Sequence, residues 1–221
     1  MSTNQPTEAG DQITAGLFKL ALVLRHQAWQ SSGQRGLTPT QSQILALVGA
    51  LEPGVSVSFI AKHLSITKGT ASEAVSALER KELVRKEADP NDGRALILRL
   101  TRKGRREAQQ SAQWPEVVVQ AVNALPAAEQ GGFLRGLLGL IGVLQERGAI
   151  PTSRMCAECR FFRPNEYPGR DKQHHCAYLE APIADSELRI DCAEMEPAEV
   201  EVRSLLMGAL FAGTKLPPET N

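Results

Sequence analysis

The four cysteines of this 221-residue chain lie within one short stretch near its C-terminal end. They are Cys156, Cys159, Cys176 and Cys192, so two of them form a Cys-x-x-Cys pair and the other two stand apart. A Cys-x-x-Cys turn places two thiolates on one metal ion or cluster, and two further thiolates complete a set of four soft ligands. Four thiolates suit either Zn²⁺ or an iron–sulfur cluster, and the sequence predicts such a site here.

Two features around these cysteines favour an iron–sulfur cluster of the [4Fe–4S] type. Structural zinc sites often use two close ligand pairs, whereas fifteen residues separate the last two cysteines here. Half of the eight Phe and Tyr residues of the chain also fall in this region, namely Phe161, Phe162, Tyr167 and Tyr178. An apolar aromatic shell excludes water and tunes the potential of a cluster. Zn²⁺ stays open as the alternative, because a small zinc domain can use the same aromatic residues as its core.

His174 and His175 stand just before the third cysteine. Either one can replace a cysteine as a zinc ligand, although a polar surface position is the more ordinary role for such residues. A disulfide framework would suit a secreted domain, but residues 1–10 lack the basic and apolar segments of a secretory signal. No stretch reaches the ~20 apolar residues of a membrane-spanning helix. The sequence therefore predicts a cytoplasmic protein that has reduced thiols and no membrane partner.

Charge is distributed unevenly along the chain, although 25 Lys and Arg balance 25 Asp and Glu overall. Residues 62–106 contain 12 basic and 6 acidic residues, whereas residues 180–221 contain 3 basic and 9 acidic residues. A basic segment of this kind is expected at a surface that binds phosphate groups. The alternative is a charged face that is simply solvated, and the pattern of helices must decide between the two.

Apolar residues at helical spacing predict four helices in the first part of the chain, and a capping residue precedes each of the last three. The first runs over Ile13–Gln30, the second and third begin after Thr38 and Ser56, and the fourth runs from Thr67 to about Lys81. The third and fourth are joined by a tight connection at residues 65–66. Two short helices joined in this way are typical of a helix-turn-helix.

The fourth helix has one apolar face and one small, polar face. Ala71, Val75 and Leu78 are predicted to be buried, and small side chains opposite them would let the helix enter the major groove of DNA. The free N–H groups at its N-terminus suit a phosphate oxygen. A plain surface helix can show the same pattern. The predicted DNA-binding residues of this helix are Thr67, Lys68, Gly69, Thr70, Ser72, Ser76 and Arg80.

Two strand-like segments, residues 83–87 and 95–100, follow this helix and enclose a run of turn residues. The run contains Asp92 and ends in Arg94, and both are predicted DNA-binding residues. An Arg at the tip of such a β-wing can enter a narrow minor groove. Thr101 then caps a long helix that begins with several basic residues. The order of elements predicts a winged helix-turn-helix.

The sequence resembles the MarR family of winged-helix transcription regulators over about residues 10–148. The resemblance rests on Leu37–Gln41, on Ile66–Ser72 followed by Leu78–Val84, and on Asp89–Arg94. The wing of that family usually reads Asp-x-Arg-Asp-x-Arg, and Asn91 here replaces the first Arg.

The resemblance implies a homodimer that binds a palindromic operator in double-stranded DNA, with half-sites about 10 bp apart or a multiple of that. It assigns the dimer contacts to residues 13–30, 101–125 and 127–147. Glycine disfavours a helix by up to about 1 kcal/mol per interior site, so the glycines of the last segment indicate the close approach of another helix. They are Gly131, Gly132, Gly136, Gly139 and Gly142.

The predicted fold is mainly α with a small β-wing, a winged helix-turn-helix dimer with a small cysteine-ligated C-terminal module. We expect a disordered N-terminus over residues 1–10, the DNA-binding and dimerisation domain over residues 11–148, and the four-cysteine module over residues 149–196. Residues 197–221 are predicted to form an amphipathic helix, packed on the dimer core or on the partner subunit, and a frayed tail.

Three functional hypotheses follow, and the first is a regulator whose module binds a [4Fe–4S] cluster and senses redox state, nitric oxide or cluster loss. The cysteine gaps are similar to those of high-potential iron–sulfur proteins over about 37 residues. The second hypothesis keeps the regulator but gives it a zinc module and a small-molecule effector. The third is an electron-transfer protein. The chain has no Gly-rich phosphate loop, HExxH or GxSxG motif, so the sequence predicts that it is not an enzyme.

Overall fold

The computed structural model describes residues 7–51, 54–89, 96–113 and 115–217. The chain divides into two compact units, residues 1–120 and residues 121–221. The helices and strands of the first unit are α1 (Glu8–Gln34), α2 (Pro39–Ala50), α3 (Val57–His63), α4 (Lys68–Arg80), β1 (Val84–Ala88), β2 (Leu96–Leu100), α5 (Arg102–Ser111) and α6 (Glu116–Asn123). Helix α6 extends three residues past the end of this unit. Those of the second unit are α7 (Ala127–Glu146), β3 (Phe162–Arg163), β4 (His174–Cys176), β5 (Ala181–Ile183) and α8 (Val200–Ala212).

Side-chain caps fix the starts of α2 to α5 at the residues that the sequence predicts. The hydroxyl of Thr38 accepts from the Gln41 N–H, and the Gln41 side chain accepts from the Thr38 N–H, which completes a capping box. Ser56, Thr67 and Thr101 each accept from the backbone N–H three residues further on. These bonds satisfy N–H groups that a helix leaves without an internal partner.

Two helices differ from the predicted lengths. Helix α1 already begins at Glu8, inside the segment predicted to be disordered, because the Thr7 hydroxyl accepts from the Gly10 N–H at 3.0 Å. The long helix predicted after Thr101 is instead two helices, α5 and α6. Pro115 precedes α6, and proline has no N–H for the helical hydrogen bond and is best tolerated at a helix start.

The core of the first unit lies between α2, α3, α4 and the β-hairpin. Ile44, Leu45, Ile60, Val75 and Leu78 are fully buried in it. Strands β1 and β2 pair in antiparallel fashion, and a bridge between residues 55 and 98 extends this sheet towards α3. The hairpin is therefore held against the helix-turn-helix.

The second unit packs α7 and α8 around a small sheet of antiparallel strands in the order β3-β4-β5. Leu138, Met155, Phe162, Leu206 and Leu210 form its buried centre. Helix α8 contacts α7 and the Cys-x-x-Cys turn of its own chain and buries Leu206, Ala209 and Leu210, whereas Leu205 and Phe211 stay exposed. No helix in the described ranges has the length and apolarity to span a bilayer.

The glycines of α7 admit close neighbours, as the sequence predicts, and these neighbours belong to the same chain. A methyl group on Gly139 would overlap the ring of Phe211, and one on Gly142 would overlap the side chain of Met207, both on α8. A methyl group on Gly131 would lie 3.1 Å from Asp185 Cβ, a tight contact without overlap. The remaining two, Gly132 and Gly136, have open space beside them.

Candidate DNA interface and metal centre

Helix α4 presents the polar face that the sequence predicts. Its apolar side, formed by Ala71, Val75 and Leu78, is fully buried. The predicted DNA-binding residues lie on the other side: Ser76 is half-buried, and the exposed ones are Thr67, Lys68, Gly69, Thr70, Ser72 and Arg80. The core contacts therefore fix the helix from behind and leave this surface open to a ligand.

The N-terminus of α4 is shaped by Thr67. Its hydroxyl accepts from the Thr70 N–H at 3.1 Å and lies 2.8 Å from the Thr70 hydroxyl. The N–H groups of Lys68 and Gly69, the first two residues of the helix, have no intrahelical acceptor. Together with the positive end of the helix dipole they form an environment that suits an anion.

The basic residues of this region divide into two groups. Lys68, Arg80, Arg102 and Arg106 are exposed and make no ion pair within the described ranges. By contrast, the Nζ atom of Lys81 donates to the Gly36 carbonyl at 2.6 Å and holds the end of α4 against the start of α2. Some of the excess positive charge therefore stabilises the fold, and the rest is available to bind a ligand.

The two predicted strands of the wing form an antiparallel hairpin, in which Ala88 at the end of β1 pairs with Leu96 at the start of β2. Asp92 and Arg94, the predicted DNA-binding residues of the wing, lie outside the described residues. Their assignment stays a prediction.

The four cysteines converge from three separate parts of the second unit. The Cys159 N–H donates to the Cys156 carbonyl at 3.0 Å in a tight turn, Cys176 lies on β4, and the Cys192 N–H donates to the Arg154 carbonyl at 2.9 Å. All four are free thiols that line one cavity of about 430 Å³. The aromatic residues that line it are Phe161, Phe162 and Tyr178.

Burial raises the pKa of the Cys156 thiol to about 11, and the nearby Cys192, Cys159 and Cys176 add to this effect, since like charges repel. The Arg189 N–H, 3.3 Å from the Cys156 sulfur, opposes the shift. Thiolates gathered here require a positively charged partner. In the part of the chain that the structure describes, no three His, Cys, Asp or Glu side chains meet around a single ion position.

His174 is a buried structural residue, so its prediction as a surface residue was wrong. Its Nδ1 atom accepts from the Asn165 N–H at 3.0 Å, and its Nε2 atom lies 2.9 Å from Asp185 Oδ1. Because both ring nitrogens are engaged, His174 is not placed to replace a cysteine ligand. His175 is half-buried, and its Nδ1 atom lies 3.3 Å from the hydroxyl of Tyr167.

Two contacts around the cavity could not be read from the sequence. The backbone N–H of Arg189 donates to the Cys156 sulfur, and backbone donors leave no trace in residue types. Asp185 also forms an ion pair with Arg135 of α7 at 3.3 Å, which joins residues 50 positions apart. For the ion pair with Asp185, the sequence offers one indication, a basic residue (Arg135) within a mostly apolar helix.

Known proteins match the first part of the chain. Residues 35–95 match the profile of the MarR family. HTH-type transcriptional repressors of Mycobacterium tuberculosis H37Rv and Mycobacterium bovis are each 30% identical over 126 residues, which covers 55% of this chain and 87% of the relative.

Two solved structures share the fold at 23% sequence identity. The Staphylococcus aureus MepR–DNA complex has a TM-score of 0.53 and is matched over 63% of this chain and 100% of its own. FabT of Streptococcus pneumoniae in complex with DNA has a TM-score of 0.52 and is matched over 62% of this chain and 95% of its own. The matched shares leave about a third of this chain without a counterpart in either structure.

The buried helix-turn-helix, its antiparallel hairpin and the exposed polar face of α4 define a winged-helix protein. The similarity to the repressors assigns the chain to one family within this class. The chain belongs to the MarR family of winged-helix transcription regulators and is not an enzyme.

Proposed function

We propose that this chain is a cytoplasmic, homodimeric regulator that binds a palindromic operator in double-stranded DNA through α4 and the wing. We also propose that Cys156, Cys159, Cys176 and Cys192 hold a [4Fe–4S] cluster, and that redox state, nitric oxide or cluster loss changes the affinity for DNA. The exposed face of α4, with its free cations, is the observation that carries the first part.

DNA binding is supported by the arrangement of charge on this surface. Lys68 stands beside the uncapped N–H groups at the start of α4, and Arg80 lies at its other end. The helix is 13 residues long, so at 1.5 Å per residue these two cations are about 18 Å apart along the axis. That spacing allows the two cations to neutralise phosphates at separate points along one groove, while Ser72 and Ser76 lie between them towards the bases.

Dimer formation is supported by apolar residues that the isolated chain leaves exposed on α1. A monomeric protein rarely exposes so many large apolar side chains along one helix. Their exposed fractions are 62% for Ile13, 67% for Phe18, 50% for Leu20, 38% for Leu24 and 58% for Trp29. A second copy of the chain would bury this face and set the distance between the two α4 helices.

The cysteine cavity supports a group of several atoms. Each Zn–S bond is about 2.3 Å, so a Zn²⁺ site draws four sulfurs to within about 4 Å of one another and leaves no space between them. The four thiols here line a cavity of about 430 Å³ with an aromatic wall, and among the described residues no three such ligands meet around a single ion position. When bound, an iron–sulfur cluster would supply an electron-transfer or oxidant-sensitive centre. The aromatic residues would exclude water, and the Arg189 N–H would stabilise the Cys156 thiolate.

Selection from a random duplex library tests the DNA-binding proposal. We expect the purified protein to enrich a palindrome with half-sites about 10 bp apart, or a multiple of that. We also expect it to bind this palindrome at least about 10³-fold more tightly than random DNA at equal salt. Equal affinity for selected and random duplexes would overturn the assignment of α4 as a reader of sequence.

Metal and acid-labile sulfide analysis of anaerobically purified protein tests the cofactor. Visible absorbance with equal iron and sulfide supports the cluster. A colourless protein with one zinc per chain supports instead a structural zinc module, with a small molecule as the effector. Equal operator affinity of the loaded and emptied protein would contradict sensing but leave the DNA-binding proposal intact.

A further inference from the structure

Helix α7 has two faces with different neighbours. Its inner face packs on the cysteine module and α8 through Leu138, Gly139 and Gly142. On its outer face Phe133 is 43% exposed and Val143 is 42% exposed. Leu140 is also exposed there, and the two glycines with open space beside them lie on the same side. One rigid element therefore joins the module to an uncovered apolar surface.

A polar chain ties the third cysteine to the inner face of α7. His174 lies on β4 two residues before Cys176 and is completely buried. Since its Nδ1 atom accepts from the Asn165 N–H, the imidazole proton is on Nε2 and is donated to Asp185 Oδ1. The other carboxylate oxygen of Asp185 pairs with Arg135 Nη1 of α7 at 3.3 Å.

A second contact ties the Cys-x-x-Cys turn to the end of the same helix. With its amide oriented to satisfy its neighbours, Gln145 donates to Glu158 Oε1 at 2.9 Å and accepts from the Ser153 N–H at 2.8 Å. Glu158 lies between Cys156 and Cys159 and is buried. Helix α7 is thus fixed to two of the three segments that carry cysteines, at points near its middle and its end.

We propose that α7 transmits the occupancy of the cysteine cavity to the dimer contact, and that Arg135 is the positioning residue that couples the Cys176 strand to this helix. The proposal rests on the proposed function, since it needs a group that binds the cysteines and a second copy of the chain on the outer face of α7. Drawing Cys176 towards a bound group moves β4, and the His174–Asp185–Arg135 chain passes that displacement to α7. Its outer face then meets the partner at a different angle.

The experiment measures dimer dissociation constants of full-length protein, as isolated anaerobically and after removal of iron with a chelator. In the wild type we expect the two forms to differ by about 5- to 150-fold, the usual range of allosteric coupling. Arg135→Gln should bring this ratio close to one, because it removes the charge that holds Asp185. Arg135→Lys should keep most of the ratio, because a single N–O contact of 3.3 Å needs only one cationic nitrogen.

Lys172→Gln is the matched control. It removes an ion pair of 2.7 Å to Glu187, in the same turn as Asp185, and leaves the pair between Asp185 and Arg135 in place. It should keep the wild-type ratio. Asp185→Asn is a second test that retains an acceptor for His174, and it should lose the coupling as Arg135→Gln does. Amide hydrogen exchange of α7 in the two forms measures the change in this helix directly, without DNA.

Each outcome decides the matter. A ratio near one in the wild type overturns the inference, whereas the sensing function is decided separately by the operator affinity of the same two forms. A wild-type ratio that Arg135→Gln and Asp185→Asn both retain overturns the role of α7 while the proposed function stands. If Arg135→Gln and Asp185→Asn lose the iron and visible absorbance, the contact is merely structural and the inference is also overturned.

Discussion

The side-chain amide of Asn165 donates to the main-chain oxygen of Ala209 at 2.7 Å, so the loop after β3 closes the last turn of α8. The same nitrogen donates to the Thr214 carbonyl at 3.0 Å, and the backbone N–H of Asn165 donates to His174. Asn165 is buried and has a φ of 51°, a left-handed conformation that Asn tolerates better than most residues. One residue therefore connects the end of α8 to the polar chain that reaches α7.

We expect Asn165→Ala to destabilise the second unit by about 1–3 kcal/mol, because the carbonyl of the buried Ala209 and that of Thr214 lose their donor. Asn165→Gly loses the same donor but adopts the left-handed backbone without strain. The difference between the two variants in calorimetric melting therefore separates backbone strain from hydrogen bonding. Wild-type melting of both variants would show that water replaces the amide.

We expect Lys68→Ala and Arg80→Ala each to reduce the salt dependence of operator binding by about 0.9 in the slope of log affinity against log salt, the effect of one phosphate contact. Fluorescence anisotropy at several salt concentrations measures the slope. Lys215→Ala is the control, since Lys215 pairs with Glu166 in the second unit at 3.2 Å and should leave the slope unchanged. Unchanged slopes in both α4 variants would place the DNA surface elsewhere.

Capping chemistry is the reason that the first unit could be predicted from the sequence. Thr38, Ser56, Thr67 and Thr101 act on N–H groups three residues away, so a local pattern determines where each helix begins. The burial of Ala71, Val75 and Leu78 follows from helical spacing in the same way. Patterns that span only a few residues were therefore sufficient to predict which face of α4 is exposed.

The second unit could be predicted only in part. The Cys-x-x-Cys spacing indicated the shared site, but the burial of His174 depends on Asn165 and Asp185, which are brought to it by non-local pairing of short strands. The partner of Gly139 is Phe211, 72 positions further along the chain. No periodic pattern specifies which element fills such a gap.

We expect Gly104→Ala to destabilise the first unit by about 1–3 kcal/mol through overpacking. Gly104 is buried in α5, and a methyl group there would overlap the main-chain oxygen of Leu83. That oxygen also accepts from the Thr101 N–H at 3.1 Å, so the strain would displace the start of β1 and weaken operator binding. Urea unfolding followed by tryptophan fluorescence reports on this unit, because both tryptophans of the sequence, at positions 29 and 114, fall within residues 1–120.

Gly33→Ala is the matched control for this variant. Gly33 is a helical glycine of α1 in the same unit, with no atom near the position of an added methyl group. Its replacement should leave stability unchanged or raise it by up to about 1 kcal/mol. Equal destabilisation by the two variants would show that the cost arises from the loss of glycine itself and not from Leu83.

Metal uptake by the emptied module should weaken as the pH falls. The pKa of Cys156 is raised to about 11, so its thiol holds a proton at neutral pH, and a metal ion must displace that proton to bind the thiolate. Each unit of lower pH should therefore weaken binding about tenfold for every thiol proton released. Reconstitution with Fe²⁺ and sulfide, followed by the visible absorbance of the cluster, measures this between about pH 6.5 and about pH 7.5. Cys156→Ser removes this proton and should make the dependence shallower, whereas affinity that does not change with pH would show that the four sulfurs are not the ligands.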